Sequence, residues 1–280
     1  MESVGAIPYC GIAPIPSEIW SRWNLDPVLI GVIVLAAALY FGGSRSEALV
    51  GEGTGGERVS FAGGLAIATL ALISPLCPLS VALFAARISQ HMVLALLAAP
   101  LIAAGHPVRT IGSLFRDPAR EPRSPAIERG SMRLLASAAF ACALWIWHTR
   151  APYDATFAST PLYWTMHVTL LFSAIWLWSS LIDCPYDEQL SSMAVGLFAS
   201  MQMGLLGALL TLAPHPIFTA HLLTAGLWNL TPLQDQQLGG AIMWVPGCGV
   251  FLGVAMLGLY RSLTLRAEQR ALHISGVAWR

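Results

Sequence analysis

The stretch RISQHMVLALLAAPLIAAGHP, running from Arg87 to Pro107, decides the fold. From Met92 to Gly105 it holds fourteen residues with no charge and no side chain that must hydrogen-bond, yet Gln90 and His91 stand at their head. A helix rises about 1.5 Å per residue, so the whole stretch is long enough to cross a bilayer. A polar pair entering such a run is either a helix end at a water boundary or a site.

The rest of the chain agrees with the membrane half of that reading. Its 280 residues are 56% hydrophobic and 11% charged, with ten Trp, and the mean hydropathy is +0.65, outside the range of soluble globular domains. All fifteen basic residues are Arg and balance fifteen acids, so the net charge gives no support for nucleic-acid binding. The five Cys (10, 77, 142, 184 and 248) contain no C-x-x-C pair, which leaves neither a disulfide scaffold nor a thiolate metal motif; Cys10 and Cys77 could meet if both face an oxidising side. The N-terminus lacks a basic segment followed by a continuous apolar run, so no cleaved signal peptide is expected.

Seven candidate spans follow, at residues 27 to 42, 59 to 76, 84 to 105, 132 to 148, 161 to 182, 191 to 213 and 238 to 260, separated by loops rich in Gly, Pro and Arg. The expected fold is all-α, a polytopic bundle in one integral-membrane domain spanning 1–280. Residues 1–26 form an external segment, 27–260 the bundle, and 261–280 a cytoplasmic tail. With the C-terminus inside, twelve Arg fall on the cytoplasmic side (45, 58, 109, 116, 120, 123, 129, 133, 261, 266, 270 and 280) against Arg22, Arg87 and Arg150 outside. Basic residues are retained inside, so the N-terminus is placed outside.

On that topology five of the seven His share one layer near the outer face: His91, His148, His167, His215 and His221. Met92, Met166 and Met243 share it, as do Asp154 and Asp235; Gln236, Gly240 and Met243 fall on one stripe of the last span. Two readings compete. In the plainer one each His is an interfacial residue bonded to a carbonyl or headgroup, within an ordinary aromatic belt of Trp145, Trp147, Trp164, Trp228 and Trp244. His215 and His221, in a loop, suit it best. His91 and His167 suit the other, because ionisable groups inside a span are costly and face a bundle interior where they pair or bind something. His91, His148 and His167 then converge on a metal or cofactor. Imidazole with thioether suits copper, zinc would more often recruit Cys or carboxylates, and haem would need paired axial His such as His91 with His167.

Other signals are weaker. Pro100 and Pro246 can kink their spans, and Gln202 reads as interhelical glue. No nucleophile with a base, no phosphate-binding Gly loop and no ladder of acids within the spans is present, which disfavours an enzyme and an ATP- or proton-driven pump.

Three blocks, SQHMVLALLAAPLIAAGHP, LWIWHTRAPYDATF and LQDQQLGGAIMWVPG, resemble the multi-span CtaG-type cytochrome c oxidase assembly factors of bacteria, seven-span proteins distinct from the single-span copper chaperone of the same name. The resemblance runs in order from about Val59 to Tyr260. It implies a plasma-membrane protein needed to make active haem-copper oxidase through its copper centres, with cytochrome c oxidase subunits and lipid as partners and no catalytic reaction. The family's pattern falls on Gln90, His91 and Pro100; on Trp147, His148, Pro152, Tyr153 and Asp154; on His167; and on Asp235, Gln236, Gly239, Gly240, Met243 and Trp244. The expected metal set is therefore His91, His148 and His167, with Asp235 and Met243 to complete it. Gln90, Asp154, Gln236, Gly239, Gly240 and Trp244 are expected around them. One departure stands out, since many members carry a further His one turn before His91, where this chain has Arg87. A fixed positive charge there opposes cation entry. The rival functions are a haem- or quinone-linked membrane oxidoreductase and, third, a copper transporter, which would need ligands continuing inward beyond Met201, Met203 and Cys142.

Overall fold

With no water to satisfy backbone groups in a bilayer, an apolar run of this length has to become a helix. The computed structural model, which describes residues 7–49, 55–115, 126–185 and 188–274, is built of helices accordingly. Among the described residues seven are long and apolar enough to cross a membrane: Pro27–Ser46, Gly55–Ile73, Phe84–Ala104, Gly130–Trp147, Thr160–Ile182, Gln189–Leu212 and Pro232–Thr264. The all-α, seven-span architecture is therefore as expected. Arg116, Arg120, Arg123 and Arg280 of the basic count lie outside the described residues.

In chain order, α1 is Pro27–Leu49, α2 Gly55–Ile73 and the short α3 Leu76–Ala82. The third span comprises α4 (Phe84–Met92), a π-helical turn at Val93–Ala98, and α5 (Ala99–Ala104). After α6 (Pro107–Gly112) come α7 (Ala126–Trp147), α8 (Arg150–Ala158), α9 (Thr160–Ile182), α10 (Gln189–Leu212) and α11 (Pro232–Ile274).

The last helix starts six residues earlier than the apolar run suggests, for a local reason. Thr231 and Gln234 form a reciprocal cap, Gln234 N donating to Thr231 Oγ1 (3.2 Å) and Thr231 N to Gln234 Oε1 (2.9 Å), and Pro232 takes the first helical position, where its missing N–H costs nothing.

Span three is the buried centre of the bundle. Its π turn precedes Pro100 and frees backbone carbonyls, one of which, Ala95 O, accepts from Trp178 Nε1 at 2.8 Å. On one side α4 and α5 join the main core with α7, α9, α10 and α11, including Ile88, Met92, Leu144, Leu177, Met203 and Met243. On the other, Leu94, Ala98 and Ile102 pack with α1 and α2 residues such as Tyr40 and Phe61. Spans six and seven approach closely through glycine: a Cβ on Gly240 would stand 2.7 Å from Thr211 N, and one on Gly207 2.8 Å from Trp244 N.

Candidate metal site at the histidine end of the bundle

The site begins with a break in the chain. Leu83, between α3 and α4, is extended (φ −130°, ψ 134°), so α4 opens a new helix inside the bundle with its first N–H groups unpaired. Asp235, from the first turn of α11, supplies the cap: its carboxylate accepts from Phe84 N at 2.7 Å and Ala85 N at 2.9 Å. The negative group sits where the helix dipole favours it. Gly239, one turn on, lets α11 approach that same turn, since a Cβ there would stand 2.5 Å from Phe84 Cδ1 and 3.2 Å from Ala85 Cα.

So positioned, α4 carries Arg87, Gln90 and His91 into the bundle, all at most 4% exposed. The His91 ring stands 5.9 Å, centroid to centroid, from His148 at the end of α7 and 5.3 Å from His167 on α9, steeply inclined to both. Both other rings are oriented by their own helices. His148 Nδ1 lies 2.6 Å from Leu144 O and His167 Nδ1 3.0 Å from Tyr163 O, each four residues back. A carbonyl only accepts, so Nδ1 carries the proton on both rings and Nε2 keeps its lone pair. His148 Nε2 and both nitrogens of His91 have no hydrogen-bond partner, although they are buried. His167 Nε2 has only a long 3.4 Å approach to Gln90 Oε1. Buried polar atoms are ordinarily satisfied, so three orphaned imidazole nitrogens in one small volume need an account.

That donor set fits a soft or borderline cation. On His148 and His167 the Nε2 lone pairs are desolvated and held in the ligating tautomer by backbone carbonyls, as in metal histidines oriented from their far nitrogen. Among the described residues no group of three His, Cys, Asp or Glu stands ready arranged around a metal position.

The structure gathers His91, His148 and His167, brings Gln90 beside His167, and gives the other expected residues the following contacts. Asp235 caps α4. Met243 is fully buried in the main core. Gln90 Nε2 donates to Ala71 O (2.8 Å), tying span three to span two. Gln236 accepts from Ile217 N (2.6 Å) and donates to Leu210 O (3.2 Å), and Asp154 accepts from Thr219 Oγ1 (2.6 Å) and from the N–H groups of Thr219 and Ala220 (3.3 Å each), so both anchor the segment after α10. Trp244 lies against the glycine seam with span six. Gln202 accepts from Trp145 Nε1 at 2.8 Å, an interhelical tie.

Sequence reasoning missed a second buried cluster beside the first. Arg87 is 1% exposed and, among the described residues, pairs with no carboxylate. Its guanidinium donates to Thr156 Oγ1 (2.7 Å) and lies 4.0 Å from the Phe157 ring centre, with Tyr153 and Tyr163 at 5.4 and 5.7 Å. Aromatic faces thus stand in for a counter-ion. His221, assigned to an ordinary loop position by sequence, is 2% exposed and pairs through Nε2 with the Tyr153 hydroxyl at 2.7 Å. Burial first, then the nearby Arg87 charge, pushes its imidazole down to about 3, so it stays neutral. The spacing of Arg87 four residues before His91 was visible; nothing local to residue 221 announces its partner.

Cys10 and Cys77 form a disulfide at this end, with Cα atoms 5.5 Å apart.

Comparison with known proteins gives one family. Its model, described as cytochrome c oxidase caa3 assembly factor, matches residues 37–264, which include every span from the second to the seventh and all three clustered histidines. No curated protein and no solved structure matches the chain. A match over most of the chain, on seven membrane-crossing helices, establishes that this protein is a multi-pass bacterial inner-membrane protein belonging to the cytochrome c oxidase caa3 assembly factor family.

Proposed function

We propose that this assembly factor supports formation of an oxidase copper centre from a site facing the periplasm. His91, His148 and His167 would hold the ion. The observation that carries the reading is the set of orphaned imidazole nitrogens on His91 and His148, buried within one cluster and with no protein group to satisfy them. Bound there, Cu(I) would supply a labile, soft-ligand cargo that a partner with thiolate or thioether ligands can accept. The protein's own part is to keep the cluster dry, to hold His148 and His167 in one tautomer through Leu144 O and Tyr163 O, and to keep span three in register through Asp235.

Orientation is supported by the excess of Arg on the segments at the opposite end from the histidines, since basic residues are retained on the cytoplasmic side. Arg87 does not fill the site on this reading. Its side chain is engaged by Thr156 and three rings, a position that leaves the His91 ring nitrogens unobstructed by hydrogen bonding.

In cells, replacing His91 and His148 together by Ala should lower cytochrome c oxidase activity several-fold while the factor's own abundance in membranes is unchanged. Wild-type oxidase activity with that double variant would overturn the proposal.

A further inference from the structure

We propose that Cys10 and Cys77 are a redox-gated dithiol site for Cu(I), adjoining the histidine cluster through Tyr163. The hand-over part of this inference rests on the copper reading of the histidines; the binding part stands on the sulfurs alone. Cys10 lies outside the 37–264 family match, so this pairing is an addition to the matched region.

Three observations lead to it. Tyr163 joins the two sites: its hydroxyl lies 3.3 Å from Cys10 Sγ and 3.8 Å from Cys77 Sγ, its carbonyl receives His167 Nδ1, and its ring centre is 4.2 Å from that of His167. The sulfurs also differ in access. Cys77 is fully buried, with Asn24 Nδ2 donating to its Sγ at 3.5 Å, whereas Cys10 is only half-buried. Finally, the segment bearing Cys10 is held in place without the disulfide. Tyr9 stacks on Tyr163 at 4.7 Å and donates to Asp26 at 2.5 Å, and Trp228 Nε1 donates to Pro14 O at 3.1 Å. Opening the S–S bond therefore leaves the two backbones held side by side while the sulfurs part to non-bonded contact, a preorganised thiol pair rather than a released strap.

The exchange balances with an external dithiol as reductant. One thiolate of the dithiol attacks Cys10 Sγ, the accessible sulfur, and Cys77 leaves as thiolate toward the Tyr163 O–H and Asn24 N–H donors. The dithiol's second thiolate then attacks the mixed disulfide, releasing Cys10 thiolate and a cyclic disulfide. Two electrons pass from dithiol to protein, and the dithiol's two protons end on Cys10 and Cys77. Cu(I) binding then releases those protons. Two thiolates suit a soft monovalent ion, and the oxidised pair offers no such ligand, so the site exists only after reduction.

The test titrates Cu(I) into detergent-purified full-length protein against a colorimetric Cu(I) chelator, air-oxidised or treated with dithiothreitol and desalted anaerobically. Reduction should add one maleimide-reactive thiol, Cys10, in the folded protein and two after denaturation, seen by intact mass, and should raise tight Cu(I) binding by about one ion per chain. The increment should vanish in C10S/C77S and in reduced wild type alkylated at Cys10, the second of which needs no refolding of a variant. It should persist in the triple variant H91A/H148A/H167A. An increment that persists there while oxidised wild type and triple variant bind equal copper would sink the copper reading of the histidines and leave the dithiol site standing. Equal Cu(I) binding by oxidised and reduced wild type, no exposure of the thiols by dithiothreitol, or an increment surviving in C10S/C77S would overturn the inference.

Discussion

His221 and Tyr153 show how a single pair can hold a loop against a membrane bundle. The segment after α10 is irregular, yet His221 is buried against the α8 tyrosine and its neighbour Phe157, with ring centres 5.8 and 5.2 Å away. Removing the Tyr153 hydroxyl strands a buried imidazole nitrogen, which costs about 1–3 kcal/mol. The Y153F variant should therefore melt earlier than wild type in detergent, and Y153F/H221F should recover part of the loss because no polar atom is left orphaned. A double variant less stable than the sum of its parts would contradict this. Little of this was legible. Position 153 lies in a block that resembles the family, but the hydropathy of residue 221 and its surroundings describes only a loop, and a contact across 68 residues leaves no local trace. The orienting of His148 and His167, by contrast, follows from helix geometry once those residues are known to be helical, since the carbonyl four residues earlier lies within reach of Nδ1.

At the scale of elements, the seven spans were readable because about 20 apolar residues in lipid have few alternatives to a helix. The ends were less so. The break at Leu83 sits inside an apolar run, and what makes it tolerable is the Asp235 carboxylate, 150 residues on from Ala85, which replaces the capping side chain that Leu83 lacks. Sequence placed Asp235 at the right depth but not its oxygens. Asp235→Ala should destabilise the bundle by roughly 2 kcal/mol, from two unpaired N–H groups at a buried helix start. D235N, which keeps one acceptor, should lose less. Thermal unfolding of the purified variants decides it, and a D235A protein as stable as wild type would mean that water can reach α4's first turn. The glycines of the same motif have separate roles, Gly239 admitting α11 to Phe84 and Gly240 admitting it to Thr211. Their adjacency in sequence reflects two faces of one helix, each close-packed.

For the molecule as a whole, the distribution of polar groups is the organising fact. One end gathers three histidines, a caged arginine, the Tyr153–His221 pair and a disulfide. The other carries ion pairs such as Arg109 with Glu57 (2.7 Å) and Arg133 with Glu188 (2.9 Å). Counting Arg on loops and placing His by depth were enough to bring His91, His148 and His167 into one layer, because a bilayer reduces each residue's position largely to a height. Lateral placement was beyond that reasoning, which is why Asp235 and Met243 shared the layer while the structure engages one as a helix cap and the other as core. Family membership fixes the role as oxidase assembly, and we propose that a metal is held at the histidine cluster. The deciding measurement is the copper retained by purified full-length protein with its disulfide intact, read by elemental analysis after dialysis against a weak chelator. Wild type should keep about one copper per chain and H91A/H148A less than about a tenth of that, since two of the three ligands are gone. Equal copper in the two proteins, or none in wild type, would contradict it.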